Sequence, residues 1–521
     1  MVAILPEAGL LVFDTIVSWG RMLLALGVSI VLSIFVGIWL ARSKRAARLG
    51  LPIIDILQTL PILAFFPIAI YIFVIILPGY IGINAAVVFL IITSMLWNMI
   101  FGVYEAIKTL PTEFADLGHL YKLNVYQRLK NIYIPAALPR LSEQMSLSWA
   151  VGLFYLVTSE IFSTGNAKYQ VSNGIGVALA QLGVSGDYLS YILGLVIFIA
   201  FVIATRLTLF TWFDRFANRY ALEAYGEPPR RHGTEGVINA ITHRLTHLFT
   251  SRNPRPAHKN ETAHSRWAAK ITAHSRFFEY AGLAVACAIA VVVVLAYARP
   301  GTFASVPSYE LSVMIALAVS FLRVWGAFVV VLAVAIPLSI YVVFMSSHKN
   351  SYLLVFQLIA SVPATILLPI IVSGVDGNAE ATAFIVFFLS GIWYIVFSVI
   401  ASTKYLNKSI LEVKRIFRVK GWAAWKLVYL RAILPGLITG SVTAIAAEWN
   451  ASIVAEQFSA GPQNTVVTSV GVGIGKLLNT TLSSGNLLLM LIALVNMTAM
   501  IILINTFIWK KLYDKVAGVY T

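Results

Sequence analysis

One stretch of this sequence occurs twice, and each copy lies between long apolar runs. The first copy covers Leu110–Leu141 and the second covers Lys408–Gly440. When the two are shifted by 296 positions, Asp116 aligns with Glu412. Both copies are basic and amphipathic, which is typical of a helix at a membrane surface. The repetition predicts two similar halves, each with a surface helix between membrane spans.

Apolar runs long enough to cross a bilayer recur along the whole chain. Of the 521 residues, 59% are hydrophobic and 12% are charged, a composition that excludes an ordinary globular enzyme. Because a span needs roughly 20 apolar residues, we predict an all-α, polytopic membrane protein with about 11 transmembrane helices. The predicted spans are 10–40, 51–77, 84–106, 139–160, 188–213, 281–298, 311–345, 352–373, 381–402, 435–455 and 486–510.

The distribution of positive charge predicts how the chain is oriented. The formal net charge is +16, and most of the 38 Lys and Arg residues fall in alternate loops. Arg42, Lys44, Arg45 and Arg48 follow the first span with no acidic residue between them. The positive-inside rule places such loops in the cytoplasm. We therefore expect an outside N-terminus, a cytoplasmic C-terminus and no nucleic-acid partner.

The chain divides into four segments. Residues 1–213 form the first repeat, 214–280 a basic cytoplasmic linker, 281–310 an extra transmembrane helix with an outer loop, and 311–521 the second repeat. The linker holds eleven of the 38 Lys and Arg residues and six of the eight His residues. Its histidine spacing favours a solvated basic segment near anionic lipid over a metal site.

The duplicated stretch resembles the EAA loop of ABC-importer permeases. Asp116–Gly118 and Glu412–Lys414 stand for E-A-A, and a basic stretch that ends in L-P follows each. The glycine of the family is replaced by Lys122 in one copy and by Arg418 in the other. The resemblance implies two permease repeats of parallel topology fused in one chain, each with a cytoplasmic coupling helix. It also implies that the chain lies in the plasma (inner) membrane of a prokaryote.

Two further pairs of motifs resemble the nitrate/sulfonate/taurine-type permeases. LQTLPILAFFPIAI at Leu57–Ile70 has a counterpart in the second half, FQLIASVPATILLPII. SEIFSTGN and NGIGVALAQ within Ser159–Gln181 correspond to AEQFSAG and VGVGIGKLL. The resemblance implies transport of a small solute, an anion of the nitrate, sulfonate or bicarbonate type.

The resemblance also implies that two ABC ATP-binding subunits dock on the coupling segments. The sequence has no G-x-x-x-x-G-K-[ST] phosphate loop, so ATP and Mg²⁺ are expected in those partners. We expect no enzyme activity, cofactor or metal in this chain, and a substrate-binding protein is a further candidate partner. Aromatic anchors with charged flanks suit docking into a groove, although an interfacial helix with aromatics at headgroup depth is the alternative. The predicted docking residues are Glu113, Asp116, Tyr121, Tyr126, Arg128, Glu412, Arg415, Arg418, Trp422 and Trp425.

Ionisable residues inside the membrane are the default candidates for a translocation path. Glu448 lies twelve residues after Gly436, about 18 Å along a helix, and its repeat partner is Gly152. It is predicted either to line the path or gate, or to be a hydrogen-bond partner in helix packing.

Two other pairs of charged residues recur in both halves. Glu160 and Glu456 lie near the outer ends of their spans, which favours a gate or an anchor for an external loop over substrate contact. Arg21 and Arg323 lie in the first spans, where they either snorkel or line a path for an anion. The predicted path residues are Glu448, Trp449, Asn450, Glu160, Glu456, Arg21, Arg323 and Asn98.

Three other functions stay open. Ferric-ion permeases are commonly fused double repeats and compete within the same family. An ATP-independent, ion-coupled secondary transporter would use Glu448 and Glu160 as proton or ion sites. A membrane sensor or scaffold would recruit its partner through the His-rich linker, but leaves the duplicated segment unexplained.

Overall fold

A computed structural model describes residues 4–59, 80–110, 113–114, 120–164, 171–220, 306–346, 349–403, 421–460, 465–484, 486–509 and 511–512, with isolated positions between 69 and 79. Within these residues the fold is all-α, as predicted, apart from one two-stranded hairpin. The first half contains α1 (Ile4–Arg42), α2 (Lys44–Thr59), α3 (Tyr80–Lys108), α4 (Val125–Arg128), α5 (Ile134–Thr164), α6 (Ile175–Ser185), α7 (Tyr188–Thr205) and α8 (Thr211–Ala217). The second half contains α9 (Val306–Ile340), α10 (Lys349–Ala360), α11 (Leu368–Gly374), α12 (Ala379–Ser402), α13 (Gly421–Ala424), α14 (Leu430–Ala455), β1 (Gln457–Ala460), β2 (Thr465–Ser469), α15 (Ile474–Ser484) and α16 (Leu487–Ile504).

Seven helical segments among the described residues are long and apolar enough to cross a membrane. They coincide with seven of the predicted spans, and an eighth, 139–160, lies within the continuous helix α5. The extra span at 281–298 and most of the span at 51–77 lie outside the described residues.

The span predicted over 352–373 is broken rather than continuous. Helix α10 ends at Ala360, and a turn of 3₁₀ helix over Ala364–Leu367 then leads into α11. The break lies at Pro363, which is extended with φ −61° and ψ 135°. Proline lacks an N–H donor and disfavours the helical conformation of the residue before it, so the ladder of hydrogen bonds stops there.

The two halves repeat the same packing. Helix α3 packs between α1 and α5, and α12 packs in the same way between α9 and α14. The backbones of α12 and α14 approach closely at Gly440, where an added Cβ would lie 2.8 Å from the Cα of Ile395. Small residues permit such close contact in membranes, where van der Waals packing rather than the hydrophobic effect drives helix association.

A local irregularity also recurs in both halves. A π-helical turn covers Leu129–Tyr133 directly before α5, and another covers Trp425–Tyr429 directly before α14. Similar turns follow α7 at Arg206–Phe210 and α16 at Asn505–Trp509. Such turns are rare and mark functional sites more often than chance, so their repetition argues for a retained structural role.

The halves meet near the ends of the spans that the charge pattern predicts to lie outside. Thr158 in α5 donates to Thr365 Oγ1 at 3.2 Å, and the hydroxyl of Tyr188 lies 2.7 Å from that of Ser373. Tyr191 donates to the carbonyl of Ile366. The segment that follows the break at Pro363 therefore forms part of the contact between the halves.

The hairpin lies at the same end of the molecule. Strands β1 and β2 pair antiparallel, with a register irregularity between Phe458 and Ser459. Strand β1 lies against α5 and α6 of the first half and against α14 and α15 of the second. It therefore bridges the two halves at the predicted outer side.

At the same end of the molecule, Asp187 is the N-cap residue of α7. Its carboxylate accepts from the N–H of Ser190 at 3.2 Å. Hydrogen bonds from Ser190 hold the pKa of the Asp187 carboxyl below its usual value.

Candidate functional site

The first coupling segment presents aromatic side chains to its surroundings. Tyr121 and Tyr126 are 70% and 68% exposed. Asn124 caps the short helix α4 in a reciprocal capping box, because its Oδ1 accepts from the N–H of Gln127 at 2.8 Å and its own N–H donates to Gln127 Oε1 at 3.0 Å. The exposed aromatics therefore project from a backbone that local hydrogen bonds fix.

The turn before this helix contains the residue that replaces the glycine of the family. Lys122 has φ +48°, in the left-handed region that residues with a Cβ rarely adopt. The turn therefore forms in spite of the substitution.

The second coupling segment is described only from Gly421 onwards. Trp422 is 74% exposed and stacks on Trp425 with ring centroids 5.6 Å apart and an interplanar angle of 8°. The positions of the two tryptophans in the chain match those of Tyr126 and Leu129 in the first copy.

Of the other predicted docking residues, the structure describes two. Glu113 is exposed, and Arg128 donates from Nε to the carbonyl of Leu123 at 2.9 Å. Asp116, Glu412, Arg415 and Arg418 lie outside the described residues. Docking by any of these residues stays a prediction.

At the predicted outer side, Arg21 and Glu160 form a buried ion pair. Arg21 Nη1 lies 2.5 Å from Glu160 Oε1, and the side chains are 5% and 0% exposed. Ser18 donates to the same oxygen at 2.7 Å, and the N–H of Gly176 donates to Glu160 Oε2 at 2.9 Å. We call this cluster of Ser18, Arg21, Glu160 and Gly176 the first latch, because it fastens the chain after α5 to helix α1.

The second half contains the equivalent latch. Arg323 Nη1 lies 3.3 Å from Glu456 Oε1, and Ser320 donates to that oxygen at 2.5 Å. The N–H of Gly475 donates to Glu456 Oε2 at 2.7 Å. The second latch therefore consists of Ser320, Arg323, Glu456 and Gly475.

The two latches differ in the second side chain to which the arginine donates hydrogen bonds. Arg21 donates from Nε to the neutral amide oxygen of Asn84 at 2.7 Å. Arg323 donates from Nε and Nη2 to both carboxylate oxygens of Glu380, each at 2.6 Å. Asn84 and Glu380 occupy matching positions at the ends of α3 and α12, so the second latch has one more negative charge.

The sequence signals for the latches were incomplete. The recurrence of Ser18 and Arg21 as Ser320 and Arg323 was visible, and so was that of Glu160 as Glu456. The glycine N–H donors were not identified, because they depend on how the following loop folds back. The contrast between Asn84 and Glu380 could have been found by aligning the repeats.

The remaining predicted path residues lie apart from the latches. Glu448 is fully buried against Gly391 of α12. Trp449 is buried on the side of α14 that faces α16, and Asn450 donates to the carbonyl of Ala446 at 2.9 Å. Asn98 is half-buried on α3. No described cavity brings these four side chains together, and their role in transport stays a prediction.

Comparison with known proteins decides the family. The family model described as "binding-protein-dependent transport system inner membrane component" matches residues 29–220 and 334–512, which together cover most of the chain. The chain belongs to this family. Two separate matches also support a fused repeat, and membership together with the apolar helices makes the chain a multi-pass inner-membrane protein.

Curated relatives carry the names of two kinds of permease. The glycine betaine/proline betaine transport system permease protein of Escherichia coli is 28% identical over 173 residues, 33% of this chain and 47% of the relative. The nitrate import permease protein of Synechococcus elongatus is 29% identical over 123 residues, 24% of this chain and 41% of the relative. The bicarbonate transport system permease protein of the same species is 22% identical over 155 residues, 30% of this chain and 53% of the relative. The chain spans about half the length of the curated relatives it matches, and no solved structure gives a significant match.

The strained turn yields one prediction. Replacing Lys122 with glycine removes the clash of Cβ in the left-handed conformation, so we expect the free energy of unfolding to rise by up to about 1 kcal/mol. The matched control is Lys130→Gly in the π-helical turn, which should lower it by about 1 kcal/mol. Thermal unfolding of the purified variants measures both, and equal losses in the two variants would show that Lys122 is not strained.

The difference between the latches yields another prediction. Glu160→Gln leaves Arg21 buried with only neutral acceptors, and breaking a buried pair in this way costs about 3–5 kcal/mol. Glu456→Gln should cost less, because Arg323 keeps both oxygens of Glu380. Unfolding temperatures in detergent compare the two variants.

The double variant Glu380→Gln, Glu456→Gln serves as the control for that comparison. It removes both carboxylates from Arg323 and should lose about as much stability as Glu160→Gln. If Glu456→Gln alone lowers the unfolding temperature as much as Glu160→Gln does, Glu380 does not compensate for the lost carboxylate of Glu456.

Proposed function

We propose that the chain forms the membrane path of an ATP-driven importer, with its N-terminus outside and its C-terminus in the cytoplasm. The observation that carries the proposal is the pair of exposed aromatic segments, each of which continues through a π-helical turn into a long membrane helix. Tyr126 leads into α5 and Trp422 into α14. Movement of either segment would therefore be transmitted to a helix that crosses the membrane.

Two ATP-binding subunits dock on these segments, one on each. Large exposed aromatic side chains on a rigid backbone are typical anchors for a groove in a partner protein, since they bury much area at little entropic cost. The stacked pair Trp422 and Trp425 forms one such anchor, and Tyr121 with Tyr126 forms the other. ATP and Mg²⁺ bind in the partner subunits, which supply the energy for alternating access.

The substrate that we propose is a small anion of the nitrate, sulfonate or bicarbonate type. The names of the nitrate and bicarbonate permease relatives support it, together with the repeated motifs of that branch. A betaine is the second candidate, because betaine permeases match longer segments of the chain, 173 and 232 residues. A substrate-binding protein on the outer face delivers the solute in either case.

The latches act as anchors of the outer loops rather than as anion-binding sites. Each guanidinium is already paired with a carboxylate and also donates to a backbone carbonyl, of Asn173 at 2.6 Å in the first latch and of Val472 at 2.5 Å in the second. An incoming anion would have to displace these partners. Fixed outer loops instead give the two halves a defined contact through which the path closes.

Docking is tested by mutating the exposed aromatics. We expect Tyr126→Ala with Trp422→Ala to abolish co-purification of the ATP-binding subunit encoded nearest to this chain, because both anchors are lost. ATP hydrolysis in lipid nanodiscs should fall with it. Trp39→Ala is the matched control, since Trp39 is 61% exposed on α1 but lies outside both coupling segments.

The control separates docking from a general interfacial role. If Trp39→Ala weakens the complex as much as the double variant does, the aromatics only anchor the chain in the headgroup region. If neither variant affects co-purification, an ATP-independent carrier replaces the importer as the better proposal.

The substrate is tested by uptake into proteoliposomes that contain the complete complex and internal ATP. We expect ATP-dependent uptake of labelled nitrate, bicarbonate or a sulfonate, with labelled glycine betaine as the paired comparison. Uptake of the betaine alone would reject the anion and leave the importer in place. Uptake of either solute without ATP would reject the importer itself.

A further inference from the structure

Glu448 is a buried carboxylate with no hydrogen-bond partner among the described residues. Its side chain is 0% exposed, and neither Oε1 nor Oε2 has a donor within reach. Glu160 and Glu456 are equally buried, yet each accepts several hydrogen bonds and pairs with an arginine. Of these three buried glutamates, Glu448 alone makes neither a hydrogen bond nor an ion pair with the described residues.

The carboxylate occupies the interface between α12 and α14. A Cβ added at Gly391 would lie 3.1 Å from Glu448 Cδ and closer still to its Oε1. The absence of a side chain at Gly391 therefore makes the room that the carboxylate fills.

At the equivalent position in the first half, the glycine and the large side chain lie on the opposite helices of the pair. Shifted by 296 positions, Gly391 corresponds to Met95 and Glu448 corresponds to Gly152. A Cβ at Gly152 would lie 2.8 Å from Met95 Sδ. In the first half, an apolar side chain from α3 fills the room left by a glycine in α5, whereas in the second a polar side chain from α14 fills the room left by a glycine in α12.

This exchange keeps the side-chain volume between the two helices similar, but it changes the free energy of their packing. A buried polar group that makes no hydrogen bond weakens the packed state, whether or not it carries a charge. A thioether of similar length has no such cost. At this one position, the closed packing of the second half is therefore less favourable than that of the first.

We propose that Glu448 acts as a built-in destabiliser of the contact between α12 and α14, so that the second half opens more readily than the first. Opening lets water reach the carboxylate and satisfies its oxygens, which the closed packing does not. The asymmetry in this chain would then give alternating access a preferred moving half. The proposal concerns packing alone and holds for any transported solute.

Hydrogen–deuterium exchange of the full chain in nanodiscs tests the proposal without substrate or ATPase. Glu448→Met gives the second half the apolar filling that Met95 provides in the first. We expect exchange in peptides of α12 and α14 to slow by about tenfold, because removal of one unsatisfied buried polar group stabilises the closed state by that order. The unfolding temperature should rise by a few degrees.

Two controls accompany the variant. Peptides from α3 and α5 should exchange as in the wild type, because the first half is unchanged. Ser452→Ala removes a buried hydroxyl of the same helix that does make a hydrogen bond, to the carbonyl of Trp449 at 2.8 Å, and should not slow exchange. Glu448→Leu repeats the test with a branched side chain in case Met does not fit.

The outcomes separate clearly. Slower exchange confined to α12 and α14 in either apolar variant supports the proposal. Exchange that is unchanged or faster in both variants overturns it, since Glu448 would then contribute to the closed packing. Either result leaves the docking of ATP-binding subunits untouched, because no partner takes part in the measurement.

Discussion

The pairing of buried charge is the constraint on which both halves depend. Inside a bilayer an arginine or glutamate without a partner is costly, and backbone N–H groups cannot rely on water. Arg21 and Glu160 solve both problems together, since Glu160 neutralises the guanidinium and also accepts from the N–H of Gly176. One ion pair therefore decides where the chain after α5 can lie, and the second latch repeats this solution around Arg323 and Glu456.

The retained latches show which features the two halves keep, and the helix pairs show where they differ. The same serine, arginine, glutamate and glycine N–H partners recur in both halves, although the ion pair is longer in the second and Glu380 replaces Asn84 beside the arginine. At the α12–α14 interface, by contrast, large and small residues have changed places. Gly102 lies against Gln144 in the first half, whereas their counterparts in the second are Ser398 and Gly440. The exchange of Met95 and Gly152 for Gly391 and Glu448 is close to volume-conserving, which tightly packed interfaces tolerate best.

Hydrophobic run length predicted most of the described membrane helices from the sequence. Seven predicted spans coincide with apolar membrane helices of the described residues, because hydropathy is a property of single segments. Features that need contact between segments were not predicted. The break at Pro363 was visible as a proline, but the hairpin at β1 and the N–H donors of the latches depend on how loops return to the helices.

Some residues of the candidate site could also be identified from the sequence, but their contacts could not. Tyr126 and Trp422 were identified by their repeated position in amphipathic segments, and both are exposed. The family pattern showed that Lys122 stands where a glycine is usual, but it did not predict the left-handed backbone conformation of this residue. The unsatisfied state of Glu448 could not be predicted, since it depends on the absence of donors on the neighbouring helices.

The two ends of α5 and α14 have opposite physical characters, and this difference suggests how the molecule moves. At the predicted outer end, each helix leads into a latch whose buried ion pair resists separation. At the inner end, each follows a π-helical turn that begins close to an exposed aromatic side chain, Tyr126 or Trp422. A partner that moved such an aromatic side chain would tilt the helix about its fixed outer end. Force applied at Tyr126 or Trp422 would therefore be transmitted to the helix contacts between the ends, and on α14 those contacts include Glu448, whose carboxylate accepts no hydrogen bond from the described residues.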